Sequence, residues 1–370
     1  MSFGVGPAAR ADITAVAENV PYDEIAHLLA GIHFLGTGGD YSPAKKSAWK
    51  KYAAGADRRW DSFNKNKATA IRKWSSRALA DIRRRGRTVL YPFGGPDFLY
   101  AYTFFPDADR YVLLGLEPTG RLPNFADMRD DDFSACLEML DEALKDILQI
   151  SFFKTDDMSE ELSGHCVTGT LPLIMLFLAR SGSNITSLRF FDLDRNGLQV
   201  YRRSSAECRG KNGFCRGIEI EFTHARSSVK KRLVYLSADI SDSGFSQCPG
   251  CKAYLEKLEG PVVSFVKSAS YLMHKSYFSG IRNLLLEKSA YILQDDSAIP
   301  YRCFNTTIWD ITLYGSYAGP IDMFQEHFED DLAAAYRRKG EKINFRFGYA
   351  KSSNLLLARK IPETARDDVK

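Results

Sequence analysis

The sequence lacks most of the signals that would assign it to a familiar class. It has no apolar run of the roughly 20 residues that a membrane-spanning helix needs. Its most apolar stretch, Thr170 to Ala179 (TLPLIMLFLA), is too short and reads as a buried helix. It contains no GxSxG, no GxxxxGKS/T, no HExxH and no kinase signature, which disfavours serine-hydrolase, P-loop and zinc-protease chemistry. It has no strong charge of either sign: 50 Lys+Arg against 46 Asp+Glu leave +4, so no nucleic-acid partner is expected. The longest basic cluster, Arg83-Arg84-Arg85-Gly86-Arg87, reads as the solvated end of a helix. Internal repeats and low-complexity segments are absent as well. The first residues, MSFGVGPAARADITAVAE, have neither the basic start nor the apolar core of a signal peptide. Two expectations follow: a cytoplasmic chain, or an exported one whose leader has been removed.

What is present is apolar and aromatic. Of 370 residues, 45% are hydrophobic and 12% aromatic, so disorder over most of the length is excluded. The length suits one large α/β domain with an appendage, or two domains. Residues 1–85 read as a helical N-terminal region, in which Trp49, Tyr52, Trp60, Phe63, Ile71, Trp74 and Ile82 recur along one helical stripe. Residues 86–370 read as a Rossmann-like α/β domain: a mostly parallel sheet with helices on both faces, interrupted at about 184–246 by a β-rich insertion. Strands are expected at Thr88–Tyr91, Tyr111–Leu116, Val262–Val266 and Ala290–Gln294, all continuously apolar, as strands covered on both faces are. A buried helix, FLYAYTFF, joins the first two.

In an open α/β sheet, ligands bind beyond the carboxyl ends of the strands. That rule selects four clusters: Gly94 to Asp97, Glu117, Lys267 with Ser268, and Asp295 to Ser297. A Gly94-Gly95 turn lets backbone approach a ligand, and the helix N-terminus after it favours negative charge. Glu117, at the end of the next strand, can accept hydrogen bonds from a ribose diol. Here the chain resembles the nucleoside-binding half of Rossmann-like S-adenosylmethionine-dependent methyltransferases. It departs from them in having Pro92-Phe93 before two adjacent glycines. The resemblance covers about residues 88–118. It implies cofactor contacts from Gly94, Gly95, Asp97 and Glu117. The longer strings LYPFGGPDFLYAYTFFPDADRYVLLGLEPTG, FVKSASYLMH and ILQDDSAIPYRCF resemble a family of uncharacterised bacterial proteins, many of them exported. That likeness implies no activity.

Other residues carry separate possibilities. Asp295 and Asp296 could ligate a hard cation or act as acid and base, or they could make a turn that bonds backbone N–H groups. Lys267 reads as an anion-binding group at the same rim or as the ion-pair partner of one of those aspartates. His274 is the general-base candidate by position. Among the seven cysteines, Cys208, Cys215, Cys248 and Cys251 suit a four-thiolate zinc site or two disulfides, Cys208–Cys215 with Cys248–Cys251 being one pairing. Three functions compete: binding of a small nucleoside-type molecule such as S-adenosylmethionine, with methyltransferase-like chemistry; non-enzymatic binding of a partner or glycan on an exposed tryptophan face; and metal-dependent hydrolysis by Asp295, Asp296 and His274. The oligomeric state is not legible.

Overall fold

The computed structural model describes residues 22–34, 41–85, 88–150, 168–202, 215–225, 227–348 and 350–365. Their ten strands form one mixed sheet with helices on both faces, in the order β4-β3-β5-β6-β2-β1-β7-β8-β10-β9. The strands are β1 (Thr88–Tyr91), β2 (Arg110–Gly115), β3 (Ser183–Leu193), β4 (Gln199–Arg202), β5 (Cys215–His224), β6 (Ser227–Ser237), β7 (Val262–Val266), β8 (Ser289–Gln294), β9 (Trp309–Gly315) and β10 (Asn354–Lys360). Only the middle five, β6-β2-β1-β7-β8, pair in parallel. The flanks β4-β3-β5-β6 and β8-β10-β9 are antiparallel, so antiparallel pairings outnumber parallel ones and correct the expectation of a mostly parallel sheet. The reason lies in β6. Its sequence reads as one arm of a hairpin, and it is that, pairing antiparallel with β5; its other edge pairs in parallel with β2. The hairpins therefore extend the sheet.

Side chains alternate between two apolar clusters along the strands, as a pleated backbone requires. Val89, Tyr91, Tyr111, Leu113, Val263 and Phe265 face one cluster. Leu90, Val112, Leu114, Val262 and Val266 face the other. The first face is covered by α1 (Tyr22–Leu29), α2 (Pro43–Phe63), α3 (Thr69–Ala78), α4 (Ala80–Arg85), α5 (Phe98–Phe104), α6 (Asp130–Ile150) and α7 (Leu171–Arg180). The second is covered by α8 (Asp242–Gln247), α9 (Pro249–Glu256), α10 (Ser279–Lys288) and α11 (Asp330–Lys339). Ser42 starts α2 by accepting from Lys45 N at 3.1 Å, with Pro43 in the first helical turn. No helix among the described residues is long and apolar enough to cross a membrane.

The tryptophans of the N-terminal region point inward. Trp49 Nε1 donates to Leu28 O at 3.1 Å, and Trp74 packs edge-on against Phe104, Tyr314 and Phe345. Trp60 packs beside Phe63 against the same cluster. All three are half-buried, and Trp60 also lines an open pocket with Arg72, Tyr102 and His224. The sequence pattern over 321–338 is that of one helix, but the structure divides it at Phe328 and Glu329 into a short 3-10 segment, Asp322–His327, and α11.

Candidate functional site

The order of the parallel strands reverses between β1 and β7, because the chain runs from β1 to β2 on one side and later adds β7 on the other. Beyond the carboxyl ends at that point lies an open cleft, at the place where open α/β sheets bind ligands. Its polar wall carries Gly94, Gly95, Asp97, Glu117, Lys267 and Ser268, and Phe93, Leu116, Leu272 and Phe278 supply apolar surface. The clusters that follow β1, β2 and β7 thus share one space. A further segment, Ala238 to Ile240 after β6, lines it too. That segment lies inside the expected β-rich insertion, and its polar Asp239 comes two residues after the end of β6.

The floor is a buried ion pair. Lys267 Nζ lies 3.2 Å from Asp97 Oδ2 and 4.3 Å from the centre of the Tyr100 ring. Tyr91 OH donates to the same Asp97 oxygen at 2.9 Å. Burial pushes the Asp97 carboxyl up from its ordinary range, and Lys267 and these donors oppose that. The other Asp97 oxygen accepts from Tyr100 N at 3.1 Å and so caps α5. This corrects two expectations. Lys267 pairs with Asp97 rather than with Asp295 or Asp296. The start of α5 is already filled by a carboxylate, so it offers no seat for an anion.

Glu117 is held close to the glycines. A Cβ at Gly115 would fall 2.4 Å from Glu117 Oε2, and one at Gly95, whose φ is +51°, would fall 3.3 Å from it. Only glycine permits this approach. Tyr235 OH fixes the segment by donating to Glu117 O at 2.7 Å. Burial raises the carboxyl, its own backbone N–H and the Tyr235 hydroxyl oppose that, and Oε2 is buried with no hydrogen-bond partner. Ser268 Oγ, across the cleft, is likewise buried without a partner. Buried polar atoms are nearly always satisfied, and these two unpartnered ones, among several in the described residues, line the same cleft.

Backbone strain gathers at the same place. Among the described residues the non-glycine residues with positive φ are Phe93 (60°), Ser268 (56°), Ser270 (52°) and Tyr271 (55°). All four belong to the two loops that face each other across the strand reversal. Left-handed backbone costs a residue with a Cβ about 1 kcal/mol or more, and it persists where surrounding contacts over-determine it.

Those contacts come from Asp295 to Ser297. Asp295 Oδ2 accepts from Ser268 N at 2.8 Å, Ser297 Oγ accepts from Ala269 N at 2.8 Å, and Ser297 O accepts from Tyr271 N at 3.0 Å. Asp295 Oδ1 accepts from the Ser297 hydroxyl at 2.6 Å. Asp296 accepts from Tyr271 OH at 2.5 Å and from Asn354 Nδ2 at 2.8 Å. Burial raises both carboxyls, and for Asp295 the neighbouring Asp296 charge adds to it. The pair lies outside the cleft, in a narrow space shared with Glu329, Tyr336 and Asn354. Every carboxylate oxygen of the pair has a donor, as the turn reading expects.

His274 is also removed from the cleft. Its Nε2 lies 4.0 Å from Glu329 Oε1, and its ring packs against Tyr271 and His327. Burial holds its pKa down at about 3, with His327 and Arg302 adding to the effect. Of the four cysteines, Cys215, Cys248 and Cys251 meet in one cluster; Cys208 lies outside the described residues. Among the described residues no group of three His, Cys, Asp or Glu is arranged to hold a metal ion. No family model, curated protein or solved structure matches the chain.

Proposed function

We propose that the chain is a Rossmann-like protein that binds a nucleoside-type ligand of the S-adenosylmethionine kind, with methyltransferase-like chemistry as its activity. The observation that carries this reading is the Glu117 carboxylate, buried over Gly95 and Gly115 with Oε2 unpaired. A ribose diol is the complement of such a group. The strand order supports it: the parallel strands, numbered as the chain meets them, lie third-second-first-fourth-fifth, which is the doubly wound order, and the cleft sits at its switch point.

Electrostatics narrows the ligand class. The cleft is lined by Asp97, Glu117 and Asp239 against the single ammonium of Lys267. With α5 already capped by Asp97, a pyrophosphate would meet carboxylates rather than free N–H groups. A cationic sulfonium or amine is tolerated where a phosphate is repelled, which favours an adenosyl sulfonium over a dinucleotide or a nucleoside triphosphate. When bound, such a ligand supplies an electrophilic methyl group. The chain's part is to hold the ribose at Glu117 and to present the wall formed by Lys267 and Ser268 to whatever accepts that group.

Titration calorimetry tests the reading directly. The wild-type protein is expected to bind S-adenosylmethionine or S-adenosylhomocysteine with micromolar affinity and NAD or ATP at least tenfold more weakly. Glu117→Ala is expected to abolish the adenosyl signal while leaving the melting temperature near that of wild type. A wild-type protein that binds neither adenosyl compound sinks the proposal.

A further inference from the structure

Three cysteines converge on the sheet face opposite the N-terminal helices, away from the chemistry proposed above. Cys215 opens β5, Cys248 is the N-cap residue of α9, and Cys251 lies in the first turn of that helix. Cys215 and Cys251 are buried in the apolar cluster, and Cys248 is half-buried against it. The Cys215 side chain lies against those of both Cys248 and Cys251, and the backbone N–H groups of Cys251 and Cys215 lie close to the Cys248 sulfur.

The cluster joins two parts of the molecule. Toward the sheet extension, α9 packs on the β3–β4 turn so closely that a Cβ at Gly250 would fall 2.0 Å from Asp194 O. Lys257 Nζ ties the same elements by donating to Asn196 O at 2.7 Å. Toward the cleft, Cys248 follows α8, which begins directly after Ile240 of the cleft wall. Ser241 Oγ caps α8 by accepting from Gly244 N at 3.1 Å.

We propose that Cys215 and Cys248 form a disulfide by exchange with a small-molecule disulfide of the glutathione class, stapling the sheet extension to the helices behind the cleft wall. The Cys248 thiolate attacks one sulfur of the small disulfide, giving a mixed disulfide and one released thiolate, which takes up the Cys248 proton. Cys215 then gives up its proton and attacks the Cys248 sulfur; the second small thiol leaves with that proton. Two protein thiols are oxidised and one small disulfide is reduced to two thiols.

Cys248 attacks first because it is the accessible member of the cluster. Cys215 is the partner because its side chain touches that of Cys248. In the reduced protein, contact with Cys215 and burial raise the Cys248 thiol well above its ordinary range. The exchange is therefore slow at neutral pH, as suits a staple that records the redox state of its compartment rather than a catalytic dithiol.

The test incubates the reduced full-length protein with glutathione disulfide, alkylates the remaining thiols and maps the peptides without reduction. The expected result is a loss of two alkylatable cysteines and a Cys215–Cys248 cross-linked peptide. Cys215→Ser and Cys248→Ser are expected to abolish the cross-link, and Cys251→Ser to keep it. The oxidised wild type is expected to melt about 5 °C or more above the reduced form. Because the peptide map uses the wild type, a poorly folding variant does not block the decision. A cross-link between Cys248 and Cys251 or between Cys208 and Cys215, full alkylation after prolonged exposure, or one zinc per chain in the untreated protein would each overturn the proposal.

Discussion

Two ionisable clusters lie at the same rim of the sheet, and they are built in opposite ways. In the cleft, Glu117 Oε2 and Ser268 Oγ are buried without partners. One strand further along, Asp295 and Asp296 are more deeply buried, yet each of their oxygens has a donor. Both clusters contain carboxylates with raised pKa, so titration behaviour does not separate them. Satisfaction does. A cluster whose hydrogen bonds are complete has finished its work within the protein, while one left incomplete around open space is where the proposed ligand would bind. The Asp295–Ser297 turn belongs to the first kind: it holds Ser268 to Tyr271 in a backbone conformation that few residues adopt unaided.

The largest effect is therefore expected from the closed cluster. Asp295→Ala leaves the Ser268 and Ser297 N–H groups and the Ser297 hydroxyl without their acceptor, and it frees a strained loop. Losing these buried bonds is expected to cost about 3–4 kcal/mol of stability in chemical denaturation. A loss below about 1 kcal/mol would show that the loop holds its shape without Asp295. Gly115→Ala comes next. Its Cβ would lie 2.8 Å from Gly95 Cα and 2.9 Å from Tyr235 OH, besides colliding with Glu117. Overpacking of this kind is expected to cost about 2 kcal/mol and to remove adenosyl binding, and calorimetry on the folded fraction would reveal any binding that survives.

How much of this contrast was legible in the sequence depends on the kind of information involved. Apolar strands followed by polar clusters located Gly94–Asp97, Glu117, Lys267 and Asp295–Ser297 at one rim, because strand ends follow from local composition. Sequence alone does not tell which polar atoms find partners. The ion-pair partner of Lys267 is Asp97, 170 residues earlier in the chain but adjacent in the sheet because β1 pairs with β7. The parallel pairing of β6 was hidden for a related reason: its hairpin partner β5 is near in sequence, and β2 is not. β10 has an apolar centre of only four residues, Leu355 to Ala358, flanked by polar residues that give it no clear boundary, although its register with β8 and β9 extends the sheet. The inward turn of Trp49, Trp60 and Trp74 was legible as a helical stripe, since periodicity reports which residues share a face.

The contrast can be sharpened by pH. His274, which packs on Tyr271 beside the closed cluster, titrates near 3 in the folded protein and near 6.5 when unfolded. Below pH 6.5 the unfolded chain takes up this proton and the folded chain does not. The stability it contributes is therefore present above 6.5 and lost as pH falls toward 3, by about 1 kcal/mol per pH unit. Glu329 acts in the opposite sense. Burial raises it to about 7, so the folded state takes its proton first and gains stability as pH falls below 7 toward the unfolded value. His274→Gln removes only the first contribution. Relative to wild type it is expected to gain about 1–2 kcal/mol between pH 7 and pH 5 in urea denaturation; parallel curves for the two proteins would show that His274 is charged within the fold.

The smallest effect on stability is the most informative about the open cluster. Ser268 Oγ is buried with no partner, so the folded protein bears its desolvation without a compensating bond. Ser268→Ala keeps the backbone N–H that Asp295 anchors, and serine and alanine meet similar hindrance at positive φ. Stability is expected to change by less than about 0.5 kcal/mol, or to rise slightly. If the hydroxyl is reserved for a ligand, affinity falls by about tenfold, the worth of one hydrogen bond inside a water-poor cleft. If it is a fault of packing, binding is untouched. A substitution that is silent in denaturation and audible in calorimetry separates a group kept for a visitor from one kept for the fold.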